Sequence, residues 1–117
     1  MPLFCMGEGT SLSEHEKFTI AQNLKILEEL KVQLLSVIAE LFSGLHRGLE
    51  TQVLEALSGA LVIIFGIARR AGISFRELDQ AVEEKLVERV ENPRNSLRET
   101  EQQILTYWRG KRVRAND

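Results

Sequence analysis

The strongest constraint on the fold is a row of apolar residues that recur every three or four positions in the first half of the sequence. Such spacing places the whole row on one face of an α-helix, and no proline or glycine interrupts it before Gly44. The pattern therefore predicts one long helix over residues 14–46, about 45–50 Å in length. A helix of this length is longer than the diameter of a compact monomer of this size. We therefore expect a partner chain, in a homodimer or homotetramer. The row consists of Ile20, Leu24, Leu27, Leu30, Leu34, Val37, Leu41 and Leu45.

Start and stop signals divide the rest of the chain into three further helices. A serine followed three residues later by a glutamate is typical of a helix start, and it occurs at Ser13–Glu16, Ser74–Glu77 and Ser96–Glu99. Glycine and the residue before proline are typical of helix ends, and these occur at Gly48, Gly72 and Asn92. No segment has the pattern of a strand. We expect an all-α fold, a four-helix bundle completed by dimerisation or tetramerisation.

The same signals predict the domain organisation. Residues 1–12 carry Gly7 and Gly9 without periodicity, and we expect a flexible leader there. Residues 13–108 are predicted to form a single helical domain, which suits a chain of 117 residues. Residues 109–117 are predicted to be a frayed tail, and four of them are basic.

Hydropathy, cysteine content and net charge indicate which cellular compartment and which classes of partner to expect. The apolar stretch Ser58–Ala68 is shorter than the roughly 20 residues that cross a bilayer, so we expect it to be a helix buried on all sides in a soluble core. Cys5 is the only cysteine, which leaves no intrachain disulfide and suits the cytoplasm. The net charge of −2 gives no general attraction to nucleic acid. We therefore expect a soluble cytoplasmic protein with no membrane or nucleic-acid partner.

Two carboxylates are the best candidates for binding a metal ion. Glu40 interrupts the apolar segment "LLSVIAELF", and Glu55 begins the segment "EALSGALVIIFGIARRAGI" within the second predicted helix, which runs from about Glu50 to Ala71. Carboxylates that face one another between helices can hold a hard cation such as Mg²⁺, so both are candidate metal ligands in a cleft between the first two helices. The alternative is that Glu40 lies on a polar side with two serines and Glu55 faces solvent with Gln52. Neither histidine stands in a catalytic motif, and the sequence assigns no catalytic residue.

The order of segments resembles the MazG-like family of all-α nucleoside triphosphate pyrophosphohydrolases. The resemblance is carried by "AEL" in the first helix, the "RG" turn, the apolar helix that ends in "ARRAGI", and "SFRELDQAVEEKL" after it. It implies an oligomer with a Mg²⁺-dependent site that cleaves a nucleoside triphosphate into the monophosphate and pyrophosphate. Arg69 and Arg70 are then candidate phosphate contacts, although charges at a helix C-terminus explain them more simply.

The family's metal-binding signature departs from this sequence at three of four positions. Glu-x-x-Glu on one helix falls on Val37 and Glu40, and Glu-x-x-Asp on the next falls on Ala56 and Gly59. Only Glu40 is acidic, and Glu55 stands next to a missing acid. The resemblance thus implies a pyrophosphohydrolase-family protein that lacks most of the Mg²⁺-binding acids. The alternative is a non-catalytic helical oligomer that serves as a binding or regulatory module.

Overall fold

The computed structural model describes residues 13–116, with side chains as far as Lys111. It contains four helices: α1 (Glu14–Arg47), α2 (Glu50–Arg70), α3 (Phe75–Glu91) and α4 (Arg98–Asn116). No strand occurs within residues 13–116, so the all-α class and the four helices are confirmed. The leader predicted for residues 1–12 lies outside the described residues.

The ends of α1 follow the predicted signals. The Ser13 hydroxyl accepts a hydrogen bond from the backbone N–H of Glu16 at 3.1 Å, which satisfies one of the free donors at the helix start. At the other end Gly48 adopts a left-handed conformation with φ of 68°, which a residue with a side chain rarely adopts. Gly44 does not break the helix, and α1 continues without interruption to Arg47.

The described residues divide into two compact units between Ile73 and Ser74, and each unit is a pair of helices. In the first unit α1 and α2 pack antiparallel. Four contacts along their length fix the register: Gly44 lies against Val53, Val37 against Gly59 and Leu30 against Gly66, and the Asn23 side-chain amide donates to the Arg70 carbonyl at 2.7 Å. The residues of α1 that precede Asn23 therefore extend beyond the end of α2.

The apolar part of α2, which the sequence predicts to be buried on all sides in a bundle or dimer, is covered on one face only within a single chain. Ala56, Ile63 and Ala68 are buried, but Leu61 and Val62 on the opposite side are more than half exposed. The physical reason is that α1 is the one neighbouring helix of α2 within this unit and can cover only one of its faces.

Among the described helices, α2 alone is long and apolar enough to cross a bilayer, and 17% of its apolar window is buried. A single helix of this kind is weak support for a membrane span, because core helices of soluble proteins have the same length and composition. α2 also carries Glu55 and ends in two arginines.

In the second unit α3 and α4 pack around Leu86 and Leu105, which are both buried. α3 starts as predicted, because the Ser74 hydroxyl accepts from the Glu77 N–H and donates to its carboxylate, both at 3.1 Å. α4 starts differently from the prediction. Asn95, rather than Ser96, provides the side-chain contact, since its Oδ1 accepts from the Leu97 N–H at 3.0 Å.

α4 continues to Asn116, so a helix occupies most of the segment that the sequence predicts to be a frayed tail. The residue types explain this difference. Lysine, arginine and alanine have high helix propensity, and a single glycine costs only about 1 kcal/mol. The repeated basic residues of the segment are typical of a solvated terminus, but they are equally good helix formers.

Candidate functional site

The four signature positions lie at one level of the α1–α2 pair. Val37 contacts Gly59 across the interface. Because the helices run antiparallel, the same register places Glu40, one turn along α1, opposite Ala56, one turn back along α2. A direct hydrogen bond supports this placement: the side-chain amide of Gln52 donates to the backbone carbonyl of Glu40 at 3.1 Å. The four residues on which the family signature falls in the sequence are thus neighbours in space.

At this level the helix interface is filled by apolar groups. A Cβ added to Gly59 would lie 3.9 Å from both methyl groups of Val37, so the valine side chain faces the glycine across the interface. Ala56 is only 2% exposed, and its methyl group is enclosed between the helices. Three of the four signature positions therefore bring only small or branched apolar groups to this level, where the resemblance to the family implies carboxylates.

The two remaining carboxylates lie at the edge of this interface and not within it. Glu40 and Glu55 are both exposed. They line one shallow depression of about 400 Å³ together with Leu49, Thr51 and Gln52. Gln52 is half-buried and points to α1, which differs from the alternative in which it faces solvent beside Glu55. The structure thus brings the two candidate ligands to the same depression, in an open position.

The donor set of this depression does not fit a resident Mg²⁺ ion. Mg²⁺ requires near-octahedral coordination by oxygen, usually with carboxylates that are held in place. Here the two carboxylates are solvent-exposed, and the three other lining residues are neutral. Across the described part of the chain, no group of three or more His, Cys, Asp or Glu side chains is arranged to hold a metal ion.

Arg69 and Arg70 are not brought to the depression. Both lie in the last turn of α2, and fourteen residues of helix separate Arg69 from Glu55, which is about 20 Å along the axis. The Arg70 carbonyl accepts the hydrogen bond from Asn23, so this end of α2 is attached to α1. The arrangement separates the candidate phosphate contacts from the candidate metal ligands.

The most strongly organised polar cluster lies elsewhere and was missed in the sequence. In the α3–α4 pair, Arg89 donates from Nε and Nη2 to the two carboxylate oxygens of Glu101. Glu101 is 7% exposed, and the Asn95 amide donates to it at 3.3 Å. A charged residue in the first turn of a helix is usually solvated, and nothing in its spacing distinguishes Glu101 from its exposed neighbours.

This pairing changes the acidity of both groups. The hydrogen bond from Arg89 lowers the pKa of Glu101 below its ordinary value, against the opposing effect of burial. The same hydrogen bond to Glu101 raises the pKa of Arg89. A carboxylate that is held charged by a bidentate guanidinium is a poor proton donor or acceptor at neutral pH, so the cluster is suited to joining α3 and α4 and not to acid–base catalysis.

Comparison with known proteins agrees with the all-α fold. The chain matches the description of the MazG-like family over residues 20–103. No curated protein and no solved structure gives a significant match. The matched segment begins within α1, ends within α4 and contains all four signature positions. Since it covers well over half of the sequence, the chain belongs to the MazG-like family.

Proposed function

We propose that this protein is a MazG-like helical oligomer that acts as a binding or regulatory module and no longer hydrolyses nucleoside triphosphates. The observation that carries the proposal is the contact of Val37 with Gly59 beside the buried Ala56. These residues stand where the family signature has metal-binding acids. The proposal places the protein in the cytoplasm as a soluble homodimer or homotetramer, without a membrane or nucleic-acid partner.

The physical basis is that a dication needs several oxygen ligands, and the level of Glu40 and Ala56 in the α1–α2 pair supplies few of them. Catalysis of phosphoryl transfer by Mg²⁺ depends on an ion in fixed geometry, which orients the phosphates and the attacking water. An apolar contact between α1 and α2 supplies no oxygen ligand. One retained carboxylate leaves the ion coordinated mainly by water and free to dissociate.

Glu40 and Glu55 favour a second candidate, the family's own activity, which is cleavage of a nucleoside triphosphate into a monophosphate and pyrophosphate with Mg²⁺. They share one depression, and a nucleotide that brought its own metal would meet both carboxylates there. In that case Glu40 would be the main metal contact and Glu55 a weaker one. Arg69 and Arg70 would contribute little, because they lie about 20 Å away along α2.

A pyrophosphate-release assay separates the two candidates. Purified protein is incubated with a panel of ribo- and deoxynucleoside triphosphates in Mg²⁺ or Mn²⁺, beside a Glu40→Gln variant. Glu29→Gln is the matched control, since Glu29 is an exposed glutamate of the same helix that does not line the depression. We expect no turnover in any of the three proteins. Metal-dependent turnover that disappears only in Glu40→Gln would overturn the proposal in favour of hydrolysis.

A further inference from the structure

A groove of about 400 Å³ runs between α3 and α4 in the second unit. Its volume lies in the range of sites that bind small molecules, about 300–1,000 Å³. Most of its lining is aliphatic, from the buried Leu86 at the bottom to Leu97 and Ile104, which are both partly exposed. Apolar side chains that lie together and remain accessible are typical of an interaction site.

The charged side chains of the groove have a positive balance. Lys85 and Arg89 are one turn apart on α3, and the one carboxylate of the lining is Glu101 on α4. Glu101 compensates Arg89, to which it is hydrogen-bonded. Among the described residues, no carboxylate lies within ion-pair distance of the Lys85 ammonium. One positive charge is therefore left at the groove, which attracts an anionic group.

The guanidinium of Arg89 is held in a fixed orientation. Its Nε and Nη2 donate to the two carboxylate oxygens of Glu101, and the Asn95 amide donates to the same carboxylate. A guanidinium has five N–H groups in one plane, and no described residue accepts from the other edge, between Nη1 and Nη2. Such an edge binds a carboxylate through two parallel hydrogen bonds. Arg89 can therefore bind a second carboxylate while it keeps its contact with Glu101.

The charges distinguish this groove from the exposed apolar face of α2. Leu54 and Leu61 are more than half exposed on that helix. The charged residues of α2 before its last turn, however, are Glu50 and Glu55, and two carboxylates repel an anion. A molecule with an apolar tail and an anionic head is thus expected to bind between α3 and α4, whereas an uncharged apolar molecule would not distinguish the two surfaces.

We propose that the groove between α3 and α4 binds a small carboxylate with an aliphatic tail, such as a medium-chain fatty acid. The carboxylate lies between the Lys85 ammonium and the outer edge of the Arg89 guanidinium, and the tail covers Leu86 and Ile104. α3 rises about 10 Å between residues 82 and 89, so a tail of medium length fills the groove. This inference goes beyond the proposed function, because no residue of the depression between α1 and α2 takes part in it.

Titration of the full chain with octanoate tests the site, followed by calorimetry and by amide chemical shifts. We expect a dissociation constant below about 1 mM, with the shifts concentrated in residues 82–104. Octanol has the tail without the charge and should bind about fivefold more weakly; acetate has the charge without the tail and should not bind. Octanol that binds as tightly as octanoate, or shifts concentrated in α2, would overturn the proposal. Absence of octanoate binding would overturn it too, and is the result expected if a second helix covers the groove.

A variant of the apolar wall tests the position of the tail. Ile104→Asp places a carboxylate in the groove at a partly exposed position, and Gln103→Asp places the same charge on an exposed neighbour outside the lining, about 100° round α4. Octanoate binding should fall at least about tenfold in Ile104→Asp, through lost apolar contact and like-charge repulsion. It should stay unchanged in Gln103→Asp. Equal binding by the two variants would contradict the proposed position.

A variant of the free cation tests the position of the head. Lys85→Gln removes the uncompensated charge, and Arg76→Gln removes an exposed cation of the same helix outside the groove. Octanoate binding should weaken about threefold to fivefold in Lys85→Gln only, with helical content unchanged in both. Binding that is the same in both variants would contradict the role of Lys85. Pyrophosphate release would overturn the proposed function alone, since the groove uses none of its residues.

Discussion

At the scale of single residues, the packing of α1 against α2 depends on glycines at positions where the two helices approach each other. Gly44 and Gly59 both face the partner helix, yet their surroundings differ. A Cβ on Gly44 would lie 3.1 Å from a Val53 methyl and 3.3 Å from its backbone nitrogen, whereas one on Gly59 would meet only Val37 methyl groups at 3.9 Å. The first is a tight contact that the neighbouring residue would have to relieve, and the second is an ordinary van der Waals contact.

Gly44→Ala and Gly59→Ala should consequently change stability in opposite directions. Replacing a helical glycine by alanine gains up to about 1 kcal/mol in propensity, and Gly59→Ala should keep most of that gain. At Gly44 the crowding of the Val53 backbone cannot be relieved by a rotamer change, and overpacking of about 1–3 kcal/mol should leave a net loss. Urea denaturation at one fixed protein concentration measures both. Equal stabilisation by the two changes would show that α1 and α2 do not approach so closely at Gly44.

At the scale of secondary-structure elements, the α3–α4 turn depends on an asparagine that the sequence pattern did not select. Ser96 and Glu99 have the spacing of a capping box, but the capping contact comes from Asn95. Its Oδ1 accepts from Leu97, and its amide donates to the Arg89 carbonyl at 3.0 Å. Capping rules were sufficient for α1 and α3, where serine begins the helix alone. They fail at α4, where two adjacent polar residues compete and only tertiary contacts decide.

Replacing the two neighbours separately tests this assignment. Asn95→Ala removes the cap and both amide contacts, and it should lower the free energy of unfolding by about 1–2 kcal/mol. Ser96→Ala should change it by less than about 0.5 kcal/mol, as is usual for an exposed substitution. Thermal and chemical denaturation of the two variants compares them directly. A larger loss for Ser96→Ala would mean that the capping box is formed after all.

The ion pair between α3 and α4 should make the stability of the chain depend on pH in the acid range. The pKa of Glu101 is lowered below the ordinary value of 4.5 in the folded protein, mainly by the hydrogen bond from Arg89. Its contribution is therefore complete above that value, and it is lost as the pH falls through the lower folded pKa. Glu101→Gln should reduce stability at neutral pH, and its difference from the wild type should shrink towards pH 3, below the ordinary carboxyl pKa.

Glu99→Gln is the control for this pH profile, because Glu99 is an exposed acid in the same turn of α4. It should leave the acid limb of the denaturation profile unchanged. A Glu101→Gln profile parallel to that of the wild type at every pH would show that the pair with Arg89 does not stabilise the folded chain.

At the scale of the whole molecule, the sequence predicted the helices better than the burial of their faces. Periodicity located α1 and α2 because a helix face is a local property of the chain. It also predicts that α2 is enclosed, yet within one chain Leu61 and Val62 are exposed. Periodicity records which residues avoid water, and it does not say whether the covering surface belongs to the same chain.

At the candidate site, too, the sequence predicts local features but not the contacts between helices. Sequence spacing identified Glu40 and Glu55, and both line one depression. It could not show that Val37 packs onto Gly59, because this contact joins residues of two helices through their register. Nor could it separate Arg69 and Arg70 from the depression, since that distance follows from the straight course of α2.

The central claim is that the level of Glu40 and Ala56 no longer holds a divalent cation, and calorimetric titration of the full chain with Mn²⁺ tests it most directly. Mn²⁺ alone is the probe, with Glu40→Gln and Glu29→Gln titrated beside the wild type. We predict no binding tighter than about 1 mM in any of the three. Stoichiometric Mn²⁺ binding that is lost in Glu40→Gln and kept in Glu29→Gln would contradict the account, because it would show that this level still forms a metal site.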